Sequence, residues 1–137
     1  EDLNLSLGDD DKVYVKGDTE GKPEYADGRL DIVRLNGELV IPKDNQNIAL
    51  DIKASSGKIR GDIANKGRIR VSSGSVDLRL YAPLKVETSV SSGSVSVINM
   101  VSKGRGRYMP QGVESTDILD TLEVDASSGR INIEYML

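Results

Sequence analysis

Four residue types are missing from this 137-residue chain: cysteine, histidine, tryptophan and phenylalanine. Without cysteine there is no disulfide framework and no thiolate metal site. Without histidine the commonest general base and the commonest metal ligand are both absent. Only 4% of the residues are aromatic, so a core must be built from Val, Ile and Leu. Such a core suits thin layers that stack on one another better than one large globular interior. No stretch reaches the run of about 18 apolar residues that a membrane-spanning helix needs. The length fits a single domain. Glu1 in place of an initiator Met points to a processed or trimmed chain, so the sequence cannot speak for any signal or anchor before it.

What the chain has instead is a recurring Ser-Ser-Gly. It appears at Ser55-Ser56-Gly57, Ser72-Ser73-Gly74, Ser91-Ser92-Gly93 and Ser127-Ser128-Gly129. Each copy follows an apolar residue (Ala54, Val71, Val90, Ala126) and precedes one polar and then one apolar residue, as in Lys58-Ile59 and Arg130-Ile131. Both flanks alternate apolar and polar, which is strand periodicity on either side of a small-residue corner. One corner glycine per unit gives Gly17, Gly37, Gly57, Gly74, Gly93, Gly112 and Gly129, a span of 112 residues in six intervals, or about 18.7 residues each. A fixed period of strands and corners is the mark of a repeat architecture. The expected fold is therefore all-β, a single-stranded β-solenoid with coils of about 18–19 residues, in which Gly57, Gly74, Gly93 and Gly129 are structural corners. The alternative is an antiparallel β-sandwich with Ser-Ser-Gly at its hairpins.

The whole of 1–137 reads as one β-repeat domain. Residues 48–137 carry the regular coils, and 1–47 form irregular N-terminal coils or a cap. Within that first part Leu3 to Leu7 and Val13 to Val15 alternate like strands, Asn36-Gly37 is a two-residue turn signal, and 42–47 reads as a loop.

Candidate chemistry is sparse. Ser55-Ser56-Gly57-Lys58 spells Ser-x-x-Lys, but that arrangement works on a helix and here falls on a strand corner. Asp62 and Asp77 are the only acids between Lys53 and Leu84, and nothing ties them to one glycosidase-like site. Gly8-Asp9-Asp10-Asp11 with Asp18 matches no calcium-loop spacing. No cofactor and no metal are expected, and no catalytic residue is assigned. Charge is the better lead. The net charge of −4 divides unevenly: residues 1–51 carry 6 Lys/Arg against 13 Asp/Glu, residues 52–113 carry 11 against 3, and 114–137 carry 1 against 6. Arg60, Arg68, Arg70 and Arg79, with Lys103, Arg105 and Arg107 in a glycine-rich loop beside Tyr108, are candidate anion-binding residues. In stacked coils, outward residues at equal positions become neighbours, so Arg60, Arg70 and Arg79 are expected to form a stripe facing an anionic envelope polymer or lipid. The competing reading pairs this basic middle with the acidic ends. Nucleic acid is a weaker candidate, since no aromatic stacking platform exists.

The segments Asp51-Ile52-Lys53-Ala54-Ser55-Ser56-Gly57-Lys58-Ile59, Val86 to Val95 and Val124-Asp125-Ala126-Ser127-Ser128-Gly129-Arg130-Ile131 resemble the bacterial "putative adhesin" β-strand-repeat domains of unknown function. These occur in Lia-type cell-envelope stress proteins and their relatives. The resemblance covers roughly 48–137. It departs from the family where an Asp often follows the glycine; Lys58, Ser75, Ser94 and Arg130 stand there instead. Bactofilin-like β-helices are a second, weaker resemblance, on Lys58 to Val71. The family likeness implies a non-enzymatic binding or scaffolding module of the bacterial cell envelope or exterior, with a cytoplasmic location as the alternative. Its partner would be an anionic polymer, a lipid or another protein. A self-assembling β-helical scaffold is the second functional reading, and a polysaccharide-degrading β-helix enzyme the third.

Overall fold

The computed structural model describes residues 2–19, 24–43, 47–111 and 120–136. Among the described residues there are eleven strands and no helix: β1 (Asp2–Gly8), β2 (Tyr14–Asp18), β3 (Glu24–Ala26), β4 (Arg29–Val33), β5 (Asn36–Pro42), β6 (Ala49–Ile63), β7 (Gly67–Leu80), β8 (Lys85–Ile98), β9 (Met100–Gly104), β10 (Arg107–Pro110) and β11 (Thr121–Tyr135). The four long strands, β6, β7, β8 and β11, each contain one Ser-Ser-Gly in the middle.

Chain geometry shows that these strands are bent. β6 and β7 pair in parallel along their length, Leu50 opposite Gly67 and Ile63 opposite Leu80. Fully extended, Leu50 to Ile63 would span about 43 Å. Yet the chain returns from Ile63 to Gly67 in four Cα steps, at most about 14 Å, and Gly67 lies one strand spacing from Leu50. The strand must double back at Ser55-Ser56-Gly57. Each long strand is thus an entry limb before the corner and an exit limb after it. Leu50 and Ile52 of the entry limb and Ile59 and Ile63 of the exit limb are buried. Asn65, fully buried in the return corner, donates its amide to the Ile48 carbonyl at 3.0 Å.

The corners stack in register as Gly57, Gly74, Gly129 and Gly93. All four have positive φ, from 109° to 144°. A Cβ on Gly74, Gly129 or Gly93 would strike the carbonyl oxygen of the corner glycine beside it. Inward residues pile up in the same way. Ile32, Ile52, Ile69 and Val124 form one column, and Leu3, Ile59, Val76 and Ile131 another, all buried. This is how an aliphatic core forms without Phe or Trp: like packs on like, one layer at a time.

Three expectations are corrected. The layers do not follow chain order. The sheet runs β6, β7, β11, β8, so the fourth Ser-Ser-Gly lies between the second and the third. The connection from β7 to β8 uses residues 81–84, one more than the 64–66 that join β6 to β7, and steps over a layer that β11 later fills. Second, the unit ending at Pro110-Gln111-Gly112 is no coil. β9 and β10 form an antiparallel hairpin beside β8, and Gly112 itself lies outside the described residues. This segment has no Ser-Ser-Gly; Gly104 and Gly106, both at positive φ, allow a tight reversal instead. Third, Asn36-Gly37 is not a turn. It opens β5, which runs antiparallel to β2 with Gly37 opposite Gly17. The two-residue turn is at Asp27-Gly28, where φ is 53° and 75°, between β3 and β4. The N-terminal strands complete the stack: β4 lies along the entry limb of β6, and β1 along its exit limb and along β5.

Candidate functional site

Outward residues form columns across the layers, and the columns decide the fate of the arginines. On the entry-limb face one column reads Asp31, Asp51, Arg68, Glu123, Glu87, Arg107. The next reads Lys53, Arg70, Asp125, Ser89. On the exit-limb face Asn4, Arg60, Asp77, Asn132 and Ser96 share a column, and Asp62, Arg79 and Glu134 another. Arg60, Arg70 and Arg79 therefore form no single stripe: Arg70 is on one face and the other two are on the opposite one.

Each of these arginines meets a polar or acidic partner. Arg68 lies 3.5 Å from Glu123 and 3.3 Å from Asp125, and Arg70 lies 3.4 Å from Asp51. Arg79 Nε is 2.8 Å from Asp62 Oδ1, and Arg60 Nε donates to Asn4 Oδ1 at 2.9 Å. The β6 and β7 part of the basic middle is stacked between the acidic N-terminal strands and β11. These pairs are exposed enough for solvent to weaken each of them.

The other candidates come together. The β9–β10 hairpin lies on the start of β8, with Arg107 opposite Glu87 and Tyr108 opposite Val86. The Thr88 amide donates to the Gly106 carbonyl at 2.7 Å and holds the turn down. Lys103 and Arg107 then line a cleft of about 300 Å³ with Lys85, Glu87, Tyr108 and Met109, and Arg105 stands exposed at the hairpin tip. Among the described residues none of Lys85, Lys103, Arg105 and Arg107 makes an ion pair. Lys85 joins this group only because β10 folds back on β8, a contact that strand periodicity does not announce.

The remaining motifs lie in strands and turns. Ser55 and Lys58 lie at the bend of β6. Asp62 is engaged by Arg79, and Asp77 accepts from Asn132 Nδ2 at 2.7 Å. In the acidic turn, Asp10 accepts the Lys12 amide at 3.0 Å and the Tyr14 hydroxyl at 2.5 Å, and Asp9 lies 2.9 Å from Lys43 Nζ. The Tyr14 hydrogen bond, helped by the Lys12 amide, holds the Asp10 carboxyl below its ordinary range, and the same bond raises the Tyr14 phenol. Among the described residues no three acids gather as metal ligands, and no helix is long and apolar enough to cross a membrane.

A family model described as Toastrack DUF4097 matches residues 4–134. No curated protein matches the chain. Among solved structures, the crystal structure of a "putative cell adhesion protein" from Clostridium sporogenes is similar, with a TM-score of 0.54 and 14% identity over 98% of this chain and 88% of that one. At that identity the likeness is one of fold.

Proposed function

Because the chain belongs to the Toastrack DUF4097 family, we propose that it is a non-enzymatic binding module of a bacterial cell surface or envelope, and that its Arg107 hairpin is where it meets an anionic partner. One observation carries this: Lys85, Lys103 and Arg107 line one cleft against the single acid Glu87, with Arg105 exposed at the hairpin tip beside it, while Arg60, Arg68, Arg70 and Arg79 are engaged elsewhere. Cations that make no ion pair among the described residues attract phosphate or carboxylate groups without first breaking such a pair. The similar Clostridium sporogenes protein, described as a "putative cell adhesion protein", fits a surface role.

The test is co-sedimentation with phosphatidylglycerol vesicles and with phosphatidylcholine vesicles, using soluble polyphosphate as competitor. Binding is expected to anionic vesicles only, and to weaken with salt. Each basic residue near an anionic surface contributes about 1 kcal/mol, so a Lys103→Ala, Arg105→Ala, Arg107→Ala triple variant should bind roughly 100-fold more weakly. Polyphosphate competition would identify the phosphate group, rather than the membrane surface, as what is recognised. Equal sedimentation with both vesicles, or full binding by the triple variant, overturns the reading.

A further inference from the structure

The exit limb of β8 is the last rung of its face. One layer in, Ile131 and Ile133 of β11 are 0% and 1% exposed, and in β7 Val76 and Leu78 are 0% and 3% exposed. The equivalent residues of β8, Val95 and Val97, are only half-buried, and Ile98 beside them is 52% exposed. β11 pairs with one side of β8. On the other side the hairpin reaches Val86 and Glu87 and, through the Gly106 carbonyl, Thr88. Among the described residues no strand lies across Ser89 to Ile98. Proteins usually protect such an edge with charge, proline or a bulge. Here the sequence from Thr88 to Ser102 contains neither a charged residue nor a proline.

We infer that this edge pairs with the same edge of a second copy of the chain, antiparallel about Ser96. The observations favour a copy over an unlike partner for two reasons. A two-fold contact sets a strand against itself, so a charged edge would meet its own charge, and this edge has none. The pattern also matches itself. Centred on Ser96, Val95 falls opposite Val97 on the inward side, and Ser94 opposite Ile98 on the outward side. The half-covered valines of each copy then continue the other's inward face.

The opposite end of the stack offers no matching surface. It finishes in β2, antiparallel to β5 and carrying Lys16 and Asp18, and in the three-residue β3, antiparallel to β4, so the assembly closes as a dimer instead of growing as a filament. The pairing does not depend on the anionic reading. It does place two Arg107 hairpins on one body, which would strengthen any multivalent contact.

Sedimentation velocity of the intact chain from low to high micromolar concentration tests it. Twice the chain mass is expected, with the dimer fraction rising with concentration. Ser96→Lys sets two ammonium groups across the axis and should weaken the dimer at least tenfold while leaving the far-ultraviolet circular dichroism unchanged, and the melting temperature unchanged at low concentration where the chain is monomeric. Lys16→Glu on β2 should leave the dimer intact. Paired Ser96 positions lie about 5 Å apart, within disulfide reach. Ser96→Cys, which supplies the chain's only thiol, should therefore cross-link two copies under mild oxidation. A monomer at every concentration, a dimer indifferent to Ser96→Lys, or a dimer that Ser96→Cys fails to cross-link would each overturn the pairing.

Discussion

A methyl group added to Gly129 would run into the Gly74 carbonyl oxygen in the adjoining layer, and one added to Gly74 into that of Gly57. At φ of 129° and 131° an L side chain is also strained, by about 1–3 kcal/mol. Gly129→Ala combines strain with a backbone clash between layers, so a loss of about 3 kcal/mol or more is expected. Gly104 separates the two effects. It has φ of 140° and nothing within 4 Å of the added carbon, so Gly104→Ala should cost only the conformational part, about 1–3 kcal/mol. Urea midpoints at constant slope read both. Asp10 and Tyr14 give a pH signature at the same scale. The folded pKa of Asp10 is depressed below its ordinary value of 3.8, so its contribution is present above that value and is lost as pH falls through the folded value. That of Tyr14 is raised above 10.0, so its contribution is present below that value and is lost as pH rises through the folded value. Tyr14→Phe should move the Asp10 titration back up, as followed by carboxyl resonances. An unchanged Asp10 would show that the hydroxyl does not hold it.

Within a rung, the return corner matters as much as the Ser-Ser-Gly corner. Asn65→Ala removes the amide that reaches the buried Ile48 carbonyl, and should cost about 1–3 kcal/mol in a thermal or urea melt. Arg79→Ala, by contrast, breaks a pair with solvent on both partners and should change stability by less than about 1 kcal/mol, and less again in high salt. The limbs and the Ser-Ser-Gly corners are legible in the sequence because an in-register stack demands the same residue type at the same place in every layer. Gly57, Gly74, Gly129 and Gly93 meet that demand directly. The choice of neighbouring layer is not written in any local pattern. Arg68 meets Glu123 and Asp125, more than fifty residues away, only because β11 lies against β7. The arginine columns depend on that placement, and so did the stripe expected from chain order. The hairpin is half legible: Lys103, Arg105 and Arg107 stand together in the chain, whereas Lys85 arrives through the antiparallel contact with β8. Asn36-Gly37 shows the limit of turn signals, since the same dipeptide serves an extended pair when another strand's glycine lies across from it.

For the molecule as a whole, the last strand to be made is a central one. β11 supplies both β7 and β8 with their shared partner, and in doing so brings acidic residues of the C-terminal part against the basic middle. Leu122, Val124, Ile131 and Ile133 on it are essentially fully buried. At about 1.5–3 kcal/mol each, these four side chains account for roughly 6–12 kcal/mol of burial, as large as the whole stability of an ordinary domain. A chain ending at Gln111 should therefore lose its cooperative melt, even though it keeps three of the four Ser-Ser-Gly corners. β6 and β7 alone pair along their length, but β8 would have no parallel neighbour at all. Non-local closure of this kind also slows folding, because β11 must be brought back from far along the chain before it can pair with β7 and β8. Refolding of the intact chain is expected in milliseconds to seconds, and a peptide covering residues 120–137, added to the shortened chain, should restore a cooperative transition. If the shortened chain melts as sharply as the intact one, the layers up to β8 are stable by themselves and β11 is an addition, not the strand that closes the fold.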